Sequence, residues 1–372
     1  MAQGGRLPLR RRSAFQNFDK VLFLIPILIF FIGILSIYSA SFKSGQPIDQ
    51  TLAMRQFLWM AMGALFVFLI VRVDYFKLQD LVWPLYFFSL LMLLVVLFMP
   101  ARLGAHRWIP LGGFNFQPSE LAKFSTILAL SQFFSNNRPE HLSKAKLASV
   151  FLVVGVPFLL ILKEPDLGTA LILVPIFFAM LYLWGFKVKH LLIILVIGCV
   201  VSPVLFHFLK DYQKERLMVF INPNADPLGA GYTIIQSKIA IGSGGIFGKG
   251  FMGGTQNQLN FIPERHTDFI FAVVAEEGGV VVSVIILTLF WLIVKKGYTI
   301  CSQTPDRFGS QLACGISTMF GLQTIINLSM TMGLLPVVGV PLPLVSYGGS
   351  SVVITMLSIG ILLNIKMHRP LF

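Results

Sequence analysis

The chain has 372 residues, 56% of them hydrophobic and 12% charged, with a formal net charge of +13. Soluble domains carry about 25% charged residues, so this composition excludes a soluble globular class and points to a polytopic membrane protein. The positive balance falls largely in short loops, where Lys and Arg mark orientation, and so does not imply nucleic acid as a partner.

Apolar runs of about twenty residues read as spanning helices. In chain order they lie near Val21–Ala40, Gln56–Val73, Leu81–Met99, Pro118–Phe134, Leu147–Leu162, Leu167–Leu183, Leu191–Leu209, Asp268–Val294, Gly309–Gly333 and Leu344–Ile365. The expected fold class is an all-α polytopic membrane protein with about ten transmembrane helices in a single domain. Strand-type alternation is absent, which argues against a β-barrel. The first run follows Arg6, Arg10, Arg11 and Arg12, is too long for a signal peptide and lacks a small-residue cleavage site. With alternating spans, those arginines share one side with Arg72, Lys77, Arg138, Lys144, Lys146, Lys187, Lys189, Lys295, Lys296, Arg307, Lys366 and Arg369. That side is expected to be cytoplasmic, with both termini on it. Residues 1–20 then form a cytoplasmic N-terminal segment, and residues 210–267 form one long extracytoplasmic loop between spans seven and eight. Within that loop, Tyr232 to Ile241 suits a short interfacial helix with Lys238 reaching to the headgroups, and Gly242 to Gly250 reads as a flexible turn.

The glycine-rich stretch fails as a phosphate loop, because Ser243 and Gly250 stand where Gly and Ser or Thr are required. Cys199, Cys301 and Cys314 have no paired spacing, so neither a disulfide framework nor a metal site is expected. Ionisable groups at a membrane boundary are the informative ones. Asp268, beside Arg265 and His266 at the start of span eight, is either a helix cap or a working acid. Glu276 lies two turns on, about 12 Å deeper by helical rise, and Glu277 beside it; both need polar or cationic partners. Glu120 and Lys123 at i, i+3 suit a structural ion pair that shapes a cavity wall. Arg107-Trp108 reads as an interfacial anchor or as a phosphate-binding cation with an aromatic platform. Asp166, after Lys163-Glu164-Pro165, fits the first turn of a helix. The Pro- and Gly-broken segment Val338 to Ser351 offers Ser346, Tyr347, Ser350 and Ser351 either to a ligand or to helix packing.

Several long motifs carry a family resemblance. They are Pro263-Glu264-Arg265-His266-Thr267-Asp268-Phe269-Ile270-Phe271, the stretches Ile235 to Gly245 and Val340 to Ser350, and Arg107-Trp108 with Phe116 to Lys123. On these the chain resembles the SEDS family (shape, elongation, division, sporulation), and its RodA-type elongation branch in particular. Gly278, where many relatives carry Leu, is the one departure noted. The resemblance implies a peptidoglycan glycosyltransferase of the bacterial cytoplasmic membrane that polymerises lipid II on the outer face, with release of undecaprenyl diphosphate, during elongation and rod-shape maintenance. It implies a class B penicillin-binding protein and the elongation machinery as partners. The position matching the family's essential acid is Asp268, and Trp108 and Glu276 match other sensitive positions.

An α-linked donor and a β-linked product fit a single inverting displacement, with Asp268 taking the proton of the acceptor hydroxyl. Arg107, Arg216, Lys238 and Arg265 are the outer-side cations for the leaving diphosphate, with His266 and Ser346 as further substrate contacts. The sequence shows no dedicated carboxylate cage for a cofactor, although a divalent cation such as Mg2+ can share the diphosphate. The competing readings are a lipid II flippase, suggested by Glu120, Lys123 and Glu276 inside helices, and a non-catalytic scaffold for the penicillin-binding protein.

Overall fold

A computed structural model describes residues 18–42, 50–100, 106–112, 114–139, 143–207, 211–222 and 231–368. The N-terminal arginines, Arg369 and residues 223–230 of the long loop lie outside them, as does the side chain of Cys199. Ten long helices match the ten apolar runs: α1 (Lys20–Ala40), α2 (Thr51–Val71), α3 (Leu78–Val96), α4 (Pro118–Asn136), α5 (Lys144–Lys163), α6 (Leu167–Trp184), α7 (Val188–His207), α11 (Ile270–Gln303), α12 (Arg307–Thr331) and α13 (Gly349–His368). The loop between α7 and α11 carries α8 (Asp211–Ile221), α9 (Tyr232–Ser243) and the single turn α10 (Thr255–Gln258). The short helix expected at Tyr232 is α9; α8 was not foreseen. A hairpin of β1 (Ile109–Leu111) and β2 (Phe114–Phe116), with Ile109 opposite Phe116, is the only strand pairing among the described residues and leaves the class unchanged.

Eight of the helices are long and apolar enough to cross a membrane. The polytopic all-α architecture follows from them. α4 falls short because Glu120, Lys123 and several Ser, Thr and Gln residues interrupt it. It tolerates them because α3, α5, α6, α12 and α13 all pack against it and shield it from lipid. Every residue from Pro118 to Ser131 is buried. The outer helices instead expose Phe31, Phe57, Leu65, Phe87 and Trp291, as lipid-facing surfaces do.

At the face that holds the N-terminus of α1, Asp19 caps that helix and accepts from the Leu22 amide at 3.0 Å. The same carboxylate pairs with Lys296 of α11 at 2.8 Å and with Lys366 of α13. Burial opposes its charge, but the two lysines and the amide outweigh that cost and hold the acid well below the usual carboxylate range. Three helices are thereby tied together at one end.

α11 is broken at Gly279 (φ 66°, ψ −163°). At the break the amides of Val280 and Val281 donate to the Gly245 and Ile246 carbonyls at 3.0 and 3.1 Å. The Glu276 and Glu277 carbonyls accept from the Lys249 and Gly250 amides, each at 3.0 Å. The glycine-rich stretch is therefore not a free turn. It plugs the break and pairs four of the backbone groups beside it, as non-helical backbone at membrane depth requires.

Candidate active site

Asp268 lies two residues before α11, on the loop that rises from Pro263. It does not cap the helix: Phe269 occupies that position and no side chain bonds there. Its backbone is fixed instead. Asn327 of α12 donates to the Asp268 carbonyl at 3.0 Å and to the Val340 carbonyl at 2.8 Å. Ser346 Oγ donates to the Thr267 carbonyl at 2.7 Å and accepts from the Leu342 amide at 2.8 Å, and the Tyr347 amide donates to the His266 carbonyl at 2.9 Å. Gln56 of α2 holds the same segment through the Ser346 carbonyl and the Gly348 amide. The Pro- and Gly-broken segment after α12 thus clamps the Asp268 loop from one side.

The Asp268 carboxylate is partly buried and accepts no hydrogen bond among the described residues. A Cβ placed on Gly339 would sit 3.5 Å from Asp268 Oδ2 and 3.7 Å from Arg107 Nη1, so the acid and the guanidinium flank one bare stretch of backbone. Burial pushes the Asp268 carboxyl up to about 6, with Glu264 and Asp166 adding to the rise and Arg216 and Arg107 opposing it. Arg107 donates to the Pro165 carbonyl, and Arg216 of α8 donates to the Val337 carbonyl at 3.1 Å. A cavity of about 70 Å³ opens between these two arginines, with Leu167, Leu171 and Leu217 as its apolar wall. Leu171 is 46% exposed, so that wall continues onto the lipid-facing surface.

Beneath Arg107 lies the linker from α5 to α6. Asp166 caps α6 through the Thr169 amide at 3.3 Å and accepts from Gln117 at 3.4 Å. Glu164 is fully buried with neither carboxylate oxygen partnered. Burial and the neighbouring Asp166 push its carboxyl up to about 9 against the pull of Arg107, which leaves it protonated at neutral pH. Glu164 and Asn327 were not singled out from the sequence. A lone Asn in the apolar run of α12 was the one available signal for the second.

The remaining candidates are placed as follows. Glu276 accepts from Lys249 at 2.7 Å, from Thr255 at 3.2 Å, and from the Gln256 and Asn257 amides at 3.0 and 3.2 Å. Glu277 takes Ser39 and the Asn257 amide group. Both acids have the polar partners their depth demands, and they organise the loop. Arg265 is buried and its guanidinium is committed to the Ala40, Phe42 and Asn257 carbonyls. His266 is part-buried 5.9 Å from the Tyr347 ring, and burial lowers its pKa, favouring the neutral imidazole. Trp108 stands partly exposed between Arg107 and β1. Lys238 is exposed and its side chain crosses Gly333. Glu120 and Lys123 pair at 2.7 Å, both buried. Among the described residues no three acids, histidines or cysteines gather to hold a metal.

A family model described as a cell cycle protein, spanning FtsW, RodA and SpoVE, matches residues 19–370. The chain belongs to this family. It is 39% identical over 358 residues to the peptidoglycan glycosyltransferase MrdB of Escherichia coli K12, covering 95% of both chains. It is 32% identical over 427 residues to the peptidoglycan glycosyltransferase RodA of Treponema pallidum, covering 95% of this chain and 98% of that one. Among solved structures, a chain from a peptidoglycan synthase complex that coordinates polymerisation and crosslinking superposes with a TM-score of 0.79 at 33% identity, covering 94% and 97% of the two chains. The crystal structure of Thermus thermophilus RodA superposes with a TM-score of 0.70 at 29% identity, covering 95% and 97%. The FtsW/RodA/SpoVE fold therefore extends over essentially the whole described chain.

Proposed function

We propose that this protein is a peptidoglycan glycosyltransferase that extends glycan strands from lipid II during cell elongation, with Asp268 as general base. The observation that carries this reading is the state of Asp268. Glu276, Glu277, Asp166 and Asp19 are all committed to structural partners, whereas Asp268 keeps both oxygens available. A carboxylate with a pKa near 6 is ionised at neutral pH and is a better base than an ordinary Asp. It accepts the acceptor sugar's hydroxyl proton as that oxygen attacks the donor's anomeric carbon from the side opposite the diphosphate. The donor C–O bond breaks and its electron pair leaves with the undecaprenyl diphosphate, inverting the anomeric centre.

Arg107 and Arg216 are the cations whose charge lowers the pKa of this acid, and both line the small cavity, so they suit the departing diphosphate. The Leu171 side of the cavity offers the prenyl chain a path into lipid. Arg265, His266, Ser346 and Glu276 hold the loops that carry the base, and Trp108 and Lys238 are placed to meet the sugars and stem peptide from outside. Active-site access from the extracytoplasmic face and cytoplasmic termini follow from the basic loops. A class B penicillin-binding protein would supply the crosslinking activity. A transport reading has less support, because Glu120, Lys123 and Glu276, the charged groups that suggested it, are engaged in the ion pairs Glu120–Lys123 and Glu276–Lys249.

Purified wild type and Asp268→Asn, matched for thermal unfolding, are incubated with lipid II and the products separated by length. Polymer from the wild type alone is expected. Equal polymer from both removes Asp268 from the chemistry.

A further inference from the structure

A cavity of about 610 Å³ lies at the opposite end of the bundle from Asp268. That volume is within the range of small-molecule sites, about 300–1,000 Å³. It is enclosed by the ends of α4 and α6, the start of α7 and the turn between α11 and α12. Its polar hydroxyls are already engaged: Thr304 donates to the Ile300 carbonyl at 2.7 Å and Ser310 to the Cys301 carbonyl at 2.9 Å. The Trp184 indole donates to the Asn137 carbonyl at 3.1 Å. Asp306, the one acid on the wall, accepts from the Gly309 amide and from the Tyr75 hydroxyl.

Three cations remain. Arg138 and Lys187 line the cavity from the linkers after α4 and α6, and Arg307 from the start of α12; all three are exposed, and their side chains make no ion pair or hydrogen bond among the described residues. Their convergence is not a solvated run of charge along one helix. The aromatic floor beneath them, with Phe134 and Trp184 at 4.9 Å between centroids, gives the cavity a low-dielectric base that strengthens a bound charge. Leu183 also lines it and is 39% exposed, so the mouth runs out onto the apolar surface that faces lipid.

We propose that this cavity binds the phosphate-bearing headgroup of an anionic phospholipid from the leaflet on the side of the basic loops, with the acyl chains lying against α6 beside Leu183. Basic pockets between membrane helices on that side are suited to such headgroups. A soluble acidic peptide would gain nothing from the apolar flank at Leu183, and a zwitterionic headgroup would bring its own ammonium to the three cations.

The test uses the full chain in detergent. Phosphatidylglycerol is titrated in and retained lipid counted by native mass spectrometry, with phosphatidylcholine and inorganic phosphate as parallel arms. One saturable phosphatidylglycerol is expected on the wild type. The triple substitution Arg138→Gln, Lys187→Gln, Arg307→Gln is expected to weaken it on the order of tenfold or more. A second triple on the same face but outside the cavity, Lys77→Gln, Lys144→Gln, Lys146→Gln, is expected to retain it; both sets are exposed and should unfold at the wild-type temperature. Equal loss in both triples, equal retention in both, or equal retention of phosphatidylcholine overturns the proposal. So does cation-dependent binding of inorganic phosphate without retention of phosphatidylglycerol.

Discussion

Gly279 and Gly248 are the two faces of one joint. A Cβ on Gly279 would lie 2.3 Å from the Gly248 amide nitrogen, and a Cβ on Gly248 would lie 2.1 Å from the Glu277 carbonyl oxygen. Both residues have positive φ, 66° and 77°. The loop that carries α9 and α10 is therefore seated in α11 by backbone contact, and no side chain can be added on either side without parting them.

Gly279→Ala is expected to unseat this joint. The substitution combines a backbone conformation open essentially to Gly with a clash against backbone, and each source costs on the order of 1–3 kcal/mol. The melting temperature should fall and limited proteolysis should cut within 244–254. Gly245→Ala is the control: its φ is +56° but nothing lies within 4 Å of a Cβ there, so only the conformational cost of about 1–2 kcal/mol applies. Equal losses from the two variants would show that the seating is not what holds the loop.

The pH profile of polymerisation should report Asp268. Only the ionised carboxylate accepts a proton, and its pKa is about 6. Thus kcat/KM should rise with pH and reach half its plateau near 6, not near the ordinary value of 3.8. Asp268→Asn should lose roughly 10²–10⁴-fold in rate along with that ascending limb. A limb that persists in the variant belongs to another group.

Glu164 supplies a stability signature of opposite sense. Its ordinary pKa of 4.5 is raised to about 9 in the folded protein, so the folded state keeps a proton that the unfolded chain releases. Stability is unaffected below about 4.5 and declines as pH rises from there towards 9, by at most about 1.4 kcal/mol per pH unit. Glu164→Gln keeps the shape and removes the ionisation. Melting temperatures measured from pH 5 to 9 should fall less steeply in the variant than in the wild type, and parallel curves would contradict the assignment.

Lys123→Met should be more damaging than its surroundings suggest. It leaves Glu120 buried at 2% exposure with its only ion-pair partner gone, a loss of about 3–5 kcal/mol. Replacing both residues, Glu120→Leu with Lys123→Met, removes the stranded charge and should recover much of that stability. The comparison is a double-mutant cycle on thermal unfolding. Additive losses would mean the two side chains do not act as a pair.

The helices were legible because lipid demands long apolar runs, and all ten runs are found as helices. The ionisable residues were legible as a set, since each is costly in this setting. Their division of labour was not. Whether Asp268 caps a helix depends on where α11 starts, and Phe269 takes that place. Arg265 and Ser346 read as ligand contacts, yet Arg265 donates to the Ala40 and Phe42 carbonyls and Ser346 to the Thr267 carbonyl, partners more than seventy residues away that sequence spacing does not reveal. Gly242 to Gly250 read as a flexible turn because the break in α11 that it fills requires the φ of Gly279, which sequence spacing does not reveal.

The sheathing of α4 bears on how the protein is made. A charged residue at a helix centre adds about 2.5–3.5 kcal/mol to the cost of insertion. A segment carrying Glu120, Lys123 and a series of hydroxyl and amide side chains is a weak candidate to leave the translocation channel for lipid on its own. The neighbours that accommodate it come from both directions along the chain, α3 before it and α5, α6, α12 and α13 after it. Stable seating of α4 in the bilayer is therefore expected to depend on helices synthesised after it as well as before it.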